Sequence, residues 1–367
     1  MNYDPFKEYL KQTEPDKKYK GYAWSTAIGL QAVDGLKTSD KLIETAIENI
    51  EGNISIADAE KRIESYYLEN PKNDQSDRTE EADKVSVRIA AILSEKSFSF
   101  SPSEYIGIHR KLFSGIYKHA GKIRDYNITK KEWVLDGATV LYGNAAELRE
   151  TLDYDFSEEK KFSYRGLTTD EIISHLAFFV SRLWQIHIFG EGNTRTTAVF
   201  FIKYLRSLGF EATNDIFAEN AWYFRNSLVR ANYTNLKENI HETTIYLERF
   251  IRNLLLGENN ELKNRYLHIK NVFGAETSAI ECETSAIGTK TSAIEATIAQ
   301  IKLNIQTKMN ILRLYKEVNT EVVFGRSDVS EICGISYSTA GRLISIMKSE
   351  KLITDVTGQG KGKYKFV

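Results

Sequence analysis

The chain has 367 residues, enough for two or three domains and a sizeable core. Its formal net charge of −1 at pH 7 gives no global field that would mark it for nucleic acid or a membrane surface. Two cysteines, Cys282 and Cys333, provide neither a disulfide framework nor zinc-ligand spacing, which fits a reducing, cytoplasmic setting. No apolar run reaches membrane-spanning length, and the N-terminus lacks the apolar core of a signal peptide. Four prolines and long runs of 3.6-residue periodicity predict a mainly α protein.

Residues 1–22 are polar and rich in Lys and Tyr. From Trp24 to Tyr67 the apolar pattern is helical, broken by Gly52, and a new helix is expected from Ser55. Residues 70–80 read as a polar loop. A helix is expected from Glu81 to about Glu95, and another opens at Ser101-Pro102. It carries His109, which like His119 further on reads as a packing or hydrogen-bonding residue. The period changes between Asp125 and Asn144, where two short strands flank the turn signal Asp136-Gly137. A helix over Glu147–Phe156 leads into a charged loop over 157–164. Thr168 and Glu171 have capping-box spacing and open a helix to Trp184. A helix from Thr197 ends at Gly209, an aromatic and basic stretch runs from Asn220 to Tyr233, and a helix over His241–Leu256 is capped by Gly257.

Between the two apolar helices lies His187-Ile188-Phe189-Gly190-Glu191-Gly192-Asn193-Thr194-Arg195. The glycines permit a tight turn and close approach by a ligand. Asn193, Thr194 and Arg195 open a helix, whose free N–H groups suit an anion. Arg195 adds a forked cation for phosphate, and Glu191 a carboxylate for Mg²⁺ beside a polyphosphate. His187 titrates near neutrality and is a candidate base for a hydroxyl nucleophile. The combination points to phosphoryl or nucleotidyl transfer.

This stretch resembles the Fic (filamentation induced by cAMP) motif, and the run His109 to Arg124 resembles the segment that precedes it in that family. The resemblance covers roughly residues 45–256. It implies a helical domain with a β-hairpin flap that transfers AMP from ATP to a Ser, Thr or Tyr hydroxyl of a target protein. His187 would be the base, Glu191 the Mg²⁺ ligand, and Gly192, Asn193, Thr194 and Arg195 the phosphate cradle. Tyr223, Asn226 and Tyr233 would meet the base. The flap would dock the target through Thr129, Lys130, Trp133, Leu141 and Tyr142; packing of Trp133 and Tyr142 is the structural alternative. Three positions depart from the pattern: Ile188, Thr194 and Ala198, the last standing where a second arginine is expected. Ile50-Glu51-Gly52-Asn53 resembles the family's inhibitory segment, making Glu51 the expected inhibitory carboxylate. A weakly active nucleotide- or DNA-binding regulator, or transfer of another nucleotide, is the alternative.

Residues 275–300 repeat with a period of seven, placing Ile280, Ile287 and Ile294 in register. A dimerising coiled-coil seam and a duplicated linker both fit. Residues 309–367 resemble a winged helix-turn-helix, in which Ser336, Tyr337, Ser338, Thr339 and Arg342 would face a DNA groove and Lys361 and Lys363 its phosphates. The expected division is a regulatory region (1–80), a Fic domain (81–257), a linker (258–308) and a winged helix (309–367), with no membrane partner.

Overall fold

The computed structural model describes residues 6, 9, 15–71, 78–210, 212, 216–270, 297, 298, 301, 303, 305–320, 322–356 and 362–367. Residues 275–296 of the heptad repeat, and Lys361, lie outside them. The fold is mainly α. Its helices are α1 (Pro15–Gly29), α2 (Asp40–Glu51), α3 (Ile56–Glu69), α4 (Thr79–Ser94), α5 (Pro102–Phe113), α6 (Leu148–Lys161), α7 (Thr169–Ile186), α8 (Asn193–Ser207), α9 (Ile216–Arg230) and α10 (Ile245–Leu256). A 3-10 turn, Leu30–Asp34, follows α1.

Local chemistry sets most boundaries. Ser39, Ser55, Ser101 and Thr168 each cap the helix that follows by accepting a backbone N–H, and Ser55 and Thr168 do so in full capping boxes. Gly52 and Gly257 close α2 and α10 in the left-handed conformation. The loop expected over 157–164 is largely helix, because α6 continues to Lys161. Buried Glu159 explains this, since it accepts hydrogen bonds from Tyr164 and Tyr204 and pairs with His175 on α7. Such a partner set lies outside any local sequence window.

The core is built around α8. Val199, Phe200, Phe201 and Leu205 are buried, and α5, α7 and α4 pack on its sides. Phe156, Phe179 and Tyr105 close an aromatic cluster around Phe200. Helix α1 packs against α4 and α9. The α1–α9 crossing is close, because a Cβ added at Gly29 would lie 2.2 Å from the Ala218 Cα.

The strand pair expected between Asp125 and Asn144 does not form. The Asp136-Gly137 turn is present, with φ of 51° and 84°, and Ala138 N–H donates to Leu135 O at 3.0 Å. The residues before it coil into a 3-10 turn, Trp133–Leu135. Glu132 is the reason: its buried carboxylate is held by Arg225 from α9 and by the Tyr142 hydroxyl. Val134 O accepts from Ile269 N–H, which also anchors the turn. Tertiary demands on a buried carboxylate override the local strand preference.

After α10 come α11 (Ile305–Val318), β1 (Phe324–Gly325), α12 (Arg326–Cys333), α13 (Tyr337–Ser349), β2 (Ile353–Asp355) and β3 (Lys363–Phe366). Gly334 is left-handed between α12 and α13, and the strands form an antiparallel sheet in the order β1-β3-β2. Arg313 on α11 donates to the Leu255 and Leu256 carbonyls at the end of α10, a favourable place for a cation. Among the described residues no helix is long and apolar enough to cross a membrane.

Replacing Gly29 by Ala forces a methyl into the Ala218 backbone. Denaturant unfolding of Gly29→Ala is expected to show a loss of about 1–3 kcal/mol; unchanged stability would mean that the crossing relaxes freely.

Candidate active site

The loop Ile188–Gly192 joins α7 to α8, and its shape is fixed from within. Asn193 accepts from Phe189 N–H at 3.0 Å and donates back to Phe189 O at 2.7 Å. Gly192, with φ 75°, is the N-cap of α8, and a Cβ there would strike the Phe113 ring at 2.4 Å. A side chain at that position is therefore excluded twice, by conformation and by space.

His187 ends α7 in the left-handed conformation (φ 51°, ψ 53°) and is 3% exposed. Its Nδ1 lies 3.3 Å from Trp184 O. Donation to that carbonyl puts the proton on Nδ1 and leaves Nε2 as a free lone pair. Nε2 is buried and has no hydrogen-bond partner. Burial holds the imidazole pKa well below its usual range, and the charges of Lys130, Arg225 and Arg124 add to this. The ring is thus neutral near pH 7, as a proton acceptor must be.

Two residues that sequence reasoning did not assign to the site hold this backbone. Arg124 is 5% exposed and donates to the carbonyls of His187 (2.8 Å), Tyr126 and Gly143 (2.6 Å), with Ile186 at 3.4 Å. Its own N–H reaches Ile188 O. One guanidinium therefore ties the end of α7 to the segment before α6. His109, fully buried and stacked on Phe189, accepts from Gly121 N–H on Nδ1 and holds Glu191 O at 3.0 Å through Nε2. The available signal was Arg124 in the run that accompanies the motif, but its partners are main-chain carbonyls distant in sequence.

The cradle side chains turn inward. Thr194 Oγ1 accepts from the Trp184 indole at 3.0 Å, and Asn193 is spent on Phe189. Arg195 is 0% exposed; it donates to Gln31, Glu81 and Tyr117 and pairs with Asp34 at 2.8 Å. What remains for an anion is the main chain. The first bond in α8 runs from Thr196 N–H to Gly192 O, so the amides of residues 193–195 precede the ladder. Glu191 keeps an exposed carboxylate, 3.7 Å from the Lys130 ammonium.

Other expected site residues have partners of their own. Glu51 accepts from Lys17 at 2.9 Å. Its near neighbour Asn49 lines a 720 Å³ cavity with Lys203, Arg206 and Ser207, at the far end of α8 from the loop. A 15-residue helix spans about 22 Å. The carboxylates that reach the motif arginine are therefore Asp34 and Glu81, not Glu51. Glu81 ionises more readily than usual: burial opposes the charge, but Arg195, Tyr117 and Arg78 outweigh it. Tyr223 is buried in the core, Asn226 donates to Asn264 Oδ1 at 2.7 Å, and half-buried Tyr233 meets Asn235. The flap exposes Thr129, Trp133 and Leu141, whereas Tyr142 packs 4.4 Å from the His187 ring. Ser336, Tyr337, Ser338, Thr339 and Arg342 are exposed at the start of α13. Lys363 lies 3.8 Å from Asp328.

The Fic/DOC family model matches residues 99–205, the stretch that holds this loop and the helices on either side of it. A stretch of 103 residues is 29% identical to protein adenylyltransferase VbhT of Bartonella schoenbuchensis, covering 28% of this chain and 20% of that protein. The chain thus spans about a fifth of the length of that curated relative. A crystal structure of a Fic family protein from Desulfovibrio desulfuricans G20 aligns over 98% of this chain and 90% of that one, at 10% identity and a TM-score of 0.42.

Burial pushes the His109 pKa down to about 4. Unfolding restores an ordinary imidazole near 6.5, so the unfolded chain binds the proton first as the pH falls. Stability from this residue is full above about pH 6.5 and is lost on the way to pH 4, by about 3 kcal/mol in total. Urea unfolding of wild type and His109→Gln at pH 7 and 4.5 should give a shallower pH dependence for the variant; equal slopes would remove His109 as the source.

Proposed function

We propose that the protein is an adenylyltransferase that moves AMP from ATP to a Ser, Thr or Tyr hydroxyl of a target protein. The observation that carries this reading is the buried, unpartnered Nε2 of His187 at the end of the helix that leads, through the short loop, to the uncapped N-terminus of α8. His187 Nε2 takes the hydroxyl proton. The hydroxyl oxygen attacks the α-phosphorus, the bond to the β-phosphate oxygen breaks, and pyrophosphate leaves with the electron pair. The main-chain amides of residues 193–195 hold phosphate oxygens where negative charge grows. Arg124 and His109 act through the backbone they hold, keeping Nε2 and the loop in register.

Glu191 presents a hard, exposed oxygen donor, which fits Mg²⁺ shared with substrate phosphates. Bound there, the ion would neutralise phosphate charge. The relative named protein adenylyltransferase supports ATP as donor and a protein as acceptor. The exposed Trp133 and Leu141 give the flap a surface for the acceptor segment. In this reading residues 1–80 regulate, 81–257 catalyse, 258–308 link, and 309–367 form a winged helix.

A further reading concerns residues 309–367, which carry nine Lys and Arg against six Asp and Glu in a chain of net charge −1. The exposed side chains of Ser336, Tyr337, Ser338, Thr339 and Arg342 at the start of α13 suit a DNA groove.

Intact mass after incubation with Mg²⁺ and ATP tests the first reading. Wild type is expected to gain the mass of AMP and His187→Ala to gain none; a gain that survives in His187→Ala would remove the assigned base. For the second reading, duplex DNA should bind with an affinity that falls steeply with salt, and Arg342→Ala should weaken it. Salt-independent or unaltered binding would point to a protein partner.

A further inference from the structure

The nucleotide's phosphates bring several negative charges to a loop with few free cations. Arg195, the cation that the motif itself supplies, is 0% exposed and already faces Asp34 and Glu81. Ala198, early in α8, is a buried methyl and supplies no charge. Arg124 is spent on main-chain carbonyls, and Arg225 is paired with Glu132 through two hydrogen bonds. Each of these guanidiniums holds the fold around the site, so none can turn to a phosphate without leaving a buried group unpaired.

Lys130 is placed differently. It sits on the flap, half-buried, and its backbone N–H is held by Thr139 Oγ1 at 3.3 Å. Its ammonium lies 3.7 Å from Glu191 Oε2, too long for a good hydrogen bond, and the Glu191 side chain is itself 54% exposed. A pair this loose in water is worth little and costs little to break. The same ammonium lies near enough to His187 to act on the imidazole. It therefore lies beside both the Glu191 carboxylate and the base, at the loop that leads into α8.

We propose that Lys130 is a catalytic residue, its ammonium binding the phosphate oxygens of the nucleotide in place of the cation that the motif loop withholds. This rests on the nucleotidyl-transfer reading given above. Before the nucleotide arrives, Lys130 neutralises Glu191. When phosphate and its counterion enter, Glu191 faces the counterion and Lys130 turns to the phosphate. As the target oxygen bonds to the α-phosphorus and pyrophosphate departs, negative charge on the phosphate oxygens shifts, and the ammonium offsets it. No proton moves to or from Lys130: it contributes charge and donors, while His187 takes the proton. The flap thereby couples acceptor docking to phosphate binding, since Lys130 lies on the same segment as the exposed Trp133 and Leu141.

The test compares Lys130→Met and Lys130→Arg with wild type in two measurements. The first is binding of a fluorescent ATP analogue with Mg²⁺. The second is the initial rate of AMP incorporation read by intact mass. Lys130→Met should bind the analogue about tenfold more weakly and react about 100-fold more slowly, with an unchanged melting temperature because the side chain holds no part of the core. Lys130→Arg should restore most of both. Wild-type binding and rate in Lys130→Met would overturn the proposal, as would loss of binding in Lys130→Arg equal to that in Lys130→Met. If wild type binds the analogue but transfers no nucleotide, the transfer reading fails while the binding measurement still decides phosphate contact by Lys130. No analogue binding by wild type would overturn both.

Discussion

Arg195 sits at 0% exposure with its charge fully enclosed, and the organisation of the whole N-terminal half follows from that cost. An isolated guanidinium in such a place would be prohibitive; here Asp34, Glu81, Gln31 and Tyr117 surround it, with the Phe113 ring stacked 4.8 Å away. These partners come from the turn after α1, from α4 and from the end of α5. One buried cation therefore gathers three separate stretches onto the first turn of α8. Only with both carboxylates removed would the buried charge be left uncompensated.

The same logic of enclosed polar groups shapes the base. His187 is held in a left-handed conformation that non-glycine residues seldom take, and the Arg124 guanidinium on its carbonyl helps to hold it there. Burial keeps the imidazole neutral, and the Trp184 carbonyl directs which nitrogen is bare. Tyr142 at one side and Trp184 at the other restrict the ring. Position, protonation and tautomer are thus set by different neighbours.

The division between side chain and main chain at the cradle carries the clearest physical lesson. Asn193, Thr194 and Arg195 look from their chemistry like phosphate ligands. All three instead satisfy the interior: Asn193 closes the loop on Phe189, Thr194 receives the Trp184 indole, and Arg195 enters the ion network. The residue types matter because they fix where the backbone amides of α8 stand. Lys130, in contrast, looks unremarkable in sequence, and the structure sets its ammonium 3.7 Å from the Glu191 carboxylate.

Much was legible in the chain itself, because helix caps and periodicity act over a few residues. Ser55, Ser101, Thr168, Gly52 and Gly257 mark real ends, and the spacing of apolar residues marks the buried faces of α7 and α8. The loop from His187 to Arg195 was identifiable because its glycines, imidazole and carboxylate lie together in sequence. Partner choice was not legible. A sequence window shows that Glu132, Glu159 and Arg195 are charged, but not that each is buried, and burial is what compels a charge to find partners at any distance along the chain. That compulsion turned the expected flap strands into a 3-10 turn, extended α6 to Lys161, and gave the motif arginine to Asp34 and Glu81 while Glu51 stayed with Lys17.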